Sequence, residues 1–106
     1  MIPNSSPTAI LNKVARSLVA TERFDSVEHA LWEMALSAIR GKTSYYRRRI
    51  RGLENKYGLD FDQFTLLLKN NADPAREDDW LAWRSAQNML VDWQQSYQDL
   101  LHARPH

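Results

Sequence analysis

The sequence predicts an all-α protein. Apolar residues recur at steps of three and four through most of the chain, no segment alternates apolar and polar residues as a half-buried strand does, and cap residues punctuate the pattern. The expected architecture is a long amphipathic helix or helical hairpin, followed by a short helix and a tryptophan-rich C-terminal helix, in a dimer.

Thr8 is placed to cap a first helix over Ala9 to about Thr21, in which Ile10, Leu11, Val14, Leu18 and Val19 fall at helical spacing. Asp25 or Ser26 caps the next, with Glu28 and Glu33 near the positive end of the helix dipole. Trp32, Leu36, Ile39, Thr43, Tyr46, Ile50, Leu53 and Tyr57 then alternate steps of four and three, the seam of a coiled coil or a long antiparallel pair, broken only by Thr43. An unbroken helix over residues 26–57 is about 48 Å long. Two resolutions are open: a break or kink at Gly41, with Gly52 a second weak point, or a protruding helix that pairs with a second copy. Gly58 suits a left-handed C-terminal cap, and Asp60 with Gln63 forms a capping box. Leu59 and Phe64 are spaced as its hydrophobic staple. The short helix carries Phe61, Phe64, Leu67 and Leu68 and ends near Asn70 and Asn71, with Pro74 in the loop beyond. The last helix is expected over about Asp78 to His102, with Trp83, Ala86, Leu90, Trp93, Tyr97 and Leu100 on one stripe.

A chain of 106 residues forms one domain, residues 1–106, with 1–8 as a flexible N-terminal segment. A domain of this size buries only about two-thirds of its unfolded surface, so self-association adds usefully to its stability. Cysteine is absent, which removes disulfides, thiolate metal sites and a cysteine nucleophile and fits the cytoplasm. No apolar run is long enough to span a bilayer, and Met1 to Thr8 is polar with two prolines, unlike a secretory leader. The net charge of +1 conceals a division: residues 1–57 carry +5 and residues 58–106 carry −4. The halves either present two binding surfaces or attract each other within the fold.

Catalytic chemistry finds little support. Gly41-Lys42-Thr43 resembles the end of a phosphate-binding loop, yet Leu36 stands where the motif needs a glycine and the surroundings are helical. The three histidines lack metal-ligand spacing, so no metal or other cofactor is expected. Asp60 with Asp62, and the run Glu77, Asp78 and Asp79, read as helix-start carboxylates before they read as an acid–base pair. No serine is accompanied by a base and an orienting carboxylate. An enzyme is not expected.

Two features remain. Arg40, Lys42, Arg47, Arg48, Arg49, Arg51 and Lys56 place seven cations in seventeen residues against Glu54 alone. Lys42, Arg47, Arg48, Arg49 and Arg51 are the candidate nucleic-acid contacts, since consecutive arginines fan around a helix toward phosphates, with Tyr45 and Tyr46 adjacent. The competing reading is a solvated face or ion pairs to the acidic half. The second feature is four tryptophans, three in the last helix. Trp80, Trp83, Leu90, Trp93 and Tyr97 are the candidate contacts to a protein partner, because tryptophan is enriched in binding hot spots; a small helical core also uses large aromatics.

Ser26-Val27-Glu28-His29-Ala30-Leu31, then Lys56-Tyr57-Gly58-Leu59-Asp60-Phe61-Asp62-Gln63-Phe64, then Asp78-Asp79-Trp80 entering a tryptophan-rich helix, together resemble small helical antitoxins of bacterial toxin–antitoxin pairs over residues 26–101. The resemblance implies capture of a cognate toxin and repression of the protein's own operon. Residues 9–39 more faintly resemble the two helices of a ribbon-helix-helix repressor. That fold reads DNA through a strand before its first helix, and Met1 to Thr8 makes a poor strand. DNA binding then rests on the arginine stretch. The reading of the whole is an antitoxin-like protein-binding module that is a homodimer, captures a partner toxin and regulates its operon, or alternatively a DNA-binding transcriptional regulator using a basic helical surface.

Overall fold

Ser6 and Pro7 open the first helix two residues before the apolar spacing begins. The computed structural model describes residues 6–21 and 26–105. Among them are four α-helices and no strand: α1 (Pro7–Ala20), α2 (Val27–Tyr57), α3 (Phe61–Asn71) and α4 (Pro74–His102). The protein is all-α, as its periodicity predicts.

The cap of α1 is Ser6, whose hydroxyl accepts from the Ala9 amide at 3.1 Å, with Pro7 at the first helical position, where a missing N–H costs nothing. Thr8 is therefore inside the helix, and Ser6 to Thr8 form its cap and first residues; Met1 to Ser5 lie outside the described residues. Ser26 caps α2 by accepting from the His29 amide at 3.0 Å, while Asp25, the other candidate, lies outside the described residues.

The long helix does not break. α2 runs through Gly41 and Gly52 for 31 residues, about 46 Å at the standard rise. Its predicted seam is the inward face: Trp32, Leu36, Ile39 and Thr43 are buried, and Tyr46, Ile50, Leu53 and Tyr57 half-buried. Thr43 is accommodated because its hydroxyl donates to the Arg40 carbonyl at 2.9 Å, leaving only its methyl group to pack. Gly58, at φ 65°, ends α2 in the left-handed conformation that glycine adopts without steric cost. Asp60 and Gln63 then form the complete capping box of α3.

α4 starts earlier than its apolar stripe suggests. Asp73 accepts from the Arg76 amide at 2.9 Å and Pro74 begins the helix, so Pro74 is a helix-initiating residue and not part of the loop. The reason is the same as at Pro7: the ring pre-sets a helical φ where no amide donor is needed.

The chain separates into two compact units, one of residues up to Ala38 with those from Tyr97 onward, the other Ile39–Ser96. In the first, Ala15, Ala30, Trp32 and Leu36 are buried, and the Trp32 indole donates to the Leu100 carbonyl at 2.7 Å. In the second, Phe64 and Trp83 are the largest fully buried side chains, stacked with centroids 5.5 Å apart, and Ile39, Thr43 and Ala86 are buried as well. Phe61 packs edge-on to Trp83 at 5.6 Å, and Tyr57 lies 4.2 Å from Phe64.

Candidate nucleic-acid interface

The basic stretch lies on the outer surface of α2 within the Ile39–Ser96 unit. Lys42, Arg47, Arg48, Arg49 and Arg51 are all exposed. Among the described residues, none of these five has a carboxylate at ion-pair distance. The acidic half does supply one partner to the stretch: Asp79 accepts from Lys56 at 2.7 Å and also from the Tyr57 hydroxyl. Lys56 is therefore a structural cation. Asp79, expected near a helix start, lies in the second turn of α4 and serves as an interhelical acceptor instead of a cap.

An ideal helix turns about 100° per residue, which sorts the exposed cations by direction. Lys42 and Arg49 share one flank and Arg47 and Arg51 the other, roughly opposite, while Arg48 points away from the buried seam between them. Gly41, Ser44, Gly52 and Asn55 lie along that outward line, with Tyr45 at its edge on the Arg49 side. A methyl group added at Gly41 or Gly52 meets nothing within 4 Å, so neither glycine is required by packing inside the chain. The Arg49 guanidinium lies 5.8 Å over the Tyr45 ring, which itself meets Tyr46 edge-on at 5.0 Å. That contact orients one flank of the surface without neutralising it.

The tryptophan stripe has another use. Trp83, a candidate partner contact, is fully buried, stacked on Phe64 and edge-on to Phe61. Trp80 is half-buried, stacked on Phe61 at 5.6 Å, and donates to Thr65 at 2.9 Å. Leu90 and Trp93 are half-buried in the same unit, whereas Tyr97, also half-buried, belongs to the other. The buried indole nitrogens of Trp83 and Trp93 have no hydrogen-bond acceptor among the described residues. The five residues thus do not form one accessible surface.

Large apolar side chains reach solvent elsewhere. On α1, Ile10, Leu11 and Val14 are exposed, although they belong to the same apolar stripe as half-buried Leu18. Lys13, Val14, Ser17, Leu18 and Thr21 line an open groove of about 680 Å³ beside this stripe. Sequence periodicity finds the apolar face of a helix and says nothing about whether another element covers it.

Among the described residues no group of three or more His, Asp or Glu is placed to hold a metal ion, and no helix is long and apolar enough to cross a membrane. No protein-family model, curated protein or solved structure matches the chain.

Proposed function

We propose that the protein acts by binding and not by catalysis, that its principal ligand is nucleic acid, and that α2 between Lys42 and Arg51 is the contact surface. The observation that supports this is the exposure of five neighbouring cations that have no carboxylate partner among the described residues, those of the acidic half included. Phosphates are the anions that a run of guanidinium groups binds well, through paired hydrogen bonds of matching geometry. In an antitoxin-type role, which the sequence resemblance suggests, the ligand is DNA upstream of the protein's own operon, bound in the cytoplasm by a homodimer.

The test is a titration of the protein with duplex DNA from its upstream region across a range of salt concentrations. Five neutralised phosphates per chain give a log–log slope of about −4.5 per protomer. Arg47→Ala and Arg51→Ala each flatten that slope by about one unit. Salt-insensitive binding, or none to any polyanion, rejects the proposal.

A second reading, capture of a protein toxin, is favoured by the exposed apolar face of α1 and no longer by the tryptophans. Ile10→Ser with Val14→Ser leaves helicity intact and abolishes co-purification with the product of the adjacent gene. Retained capture by that double variant counts against α1 as the docking element.

A further inference from the structure

Polyanion binding leaves open which nucleic acid is meant and whether its sequence is read. Building on the phosphate-binding surface just described, we propose that α2 enters the major groove of B-form DNA, with Arg48 as its base-reading residue and the flanking cations as clamps on the two phosphate strands.

The arrangement of the cations on their helix carries this. An α-helix with its side chains is roughly 10–12 Å across, and the B-DNA major groove is about 12 Å wide. A helix seated there has one phosphate strand on each side. α2 has cations on both sides: Lys42 and Arg49 on one flank, Arg47 and Arg51 on the other. From residue 42 to residue 51 the helix advances about 13.5 Å, the length of about four base pairs. A helix binding a flat anionic surface needs cations on a single face, and cations on opposite flanks of one helix fit a trough with charged walls.

The outward line between those flanks faces the groove floor, where sequence is exposed as base edges. Its central long side chain is Arg48, among Gly41, Ser44, Gly52 and Asn55, with Tyr45 at its edge on the Arg49 side. Small residues on either side let the backbone approach the floor while Arg48 extends to it. A guanidinium pairs in bidentate fashion with O6 and N7 of guanine, the commonest specific contact in this groove. Gly41 and Gly52 lie 11 residues apart, about three turns, so both fall close to this same line. Duplex RNA is a poor alternative, because its A-form major groove is too narrow to admit the helix.

The experiment enriches a preferred site from a randomised duplex DNA pool with the full-length protein. Binding is then compared on that site, a scrambled duplex, duplex RNA of the same sequence, and heparin. Wild type is expected to prefer its site over the scrambled duplex by roughly 10- to 100-fold for one bidentate base contact. Arg48→Ala removes that preference while still binding the scrambled duplex, and replacing guanine by 7-deazaguanine in the site reproduces the loss. Arg47→Ala and Arg51→Ala weaken both duplexes equally. Gly41→Ala and Gly52→Ala raise the Tm and yet weaken binding to duplex DNA, a divergence that a purely structural role for the glycines does not produce. Failure to enrich any sequence, equal affinity for duplex RNA, insensitivity to 7-deazaguanine, or an Arg48→Ala variant that behaves like Arg47→Ala overturns the groove reading. Those results leave phosphate binding standing, whereas loss of salt-dependent binding to heparin and every duplex removes both.

Discussion

At the scale of single residues, Trp83 shows how far a side chain's chemistry limits its role. Its indole N–H has no acceptor, so the ring is held by area and shape alone, stacked on Phe64 and edge-on to Phe61. Truncation to alanine leaves a cavity in the centre of its unit and costs about 3–5 kcal/mol. For a domain that is marginally stable, this is a large share of the total. Trp83→Ala is therefore expected to lose helicity and cooperative unfolding together, measured by circular dichroism through a thermal scan; a well-folded Trp83→Ala would instead restore the view of Trp83 as a surface contact. The sequence showed that the stripe from Trp83 to Leu100 was apolar and helical. It did not show which of its members would be enclosed, because that depends on the Phe61 and Phe64 rings of α3, which reach Trp83 only in the folded chain.

At the scale of elements, the end of α2 is tied to the second turn of α4 by one carboxylate. Asp79 accepts from both Lys56 and Tyr57, and those two hydrogen bonds hold its pKa below the usual carboxylate range. The bond to Asp79 in turn raises both Lys56 and Tyr57 above their ordinary values. Because the folded state binds the Asp79 proton less readily than the unfolded chain, this clamp contributes stability above the unfolded value near pH 3.9 and loses it as pH falls through the lower folded value. The raised lysine and tyrosine work in the opposite direction. Their contribution is complete below their ordinary values and is lost as pH rises through the folded ones. Asp79→Asn is expected to flatten both limbs of a Tm-against-pH profile, with its largest loss of Tm between them; unchanged limbs would show that the clamp contributes nothing. The cap residues of this region were legible: Gly58, Asp60 and Gln63 have local roles set by backbone geometry. Pro74 was misplaced because proline starts helices as readily as it ends them, and the cap that decides between these, Asp73, is equally at home in a loop.

At the scale of the whole molecule, helix class, the seam of α2 and the stripe of α4 could be read from spacing alone, since each depends on a period within one element. The separation into two units could not, because α2 and α4 each contribute to both and their periodicity does not change where one unit gives way to the other. Charge was similarly half legible. The opposition of +5 and −4 left two binding surfaces and mutual attraction equally open; Arg47, Arg48, Arg49 and Arg51 face solvent, while Lys56 reaches Asp79 across helices. Long-range charge balance sets solubility and the approach of ligands more than it sets the fold.

The tryptophans are divided between the units: Trp32 belongs to one, and Trp80, Trp83 and Trp93 belong to the other. They also differ in surroundings, Trp32 under the Arg104 guanidinium and bonded to a carbonyl, Trp83 sealed among aromatic rings with an unpaired nitrogen. The molecule thus contains its own set of optical probes. The fluorescence of Trp32 responds to a polar, charged neighbourhood in the first unit, and that of Trp83 to a dry one in the second. A Trp32→Phe variant keeps tryptophan in the second unit alone, so its light reports on that unit while the first melts or binds unseen.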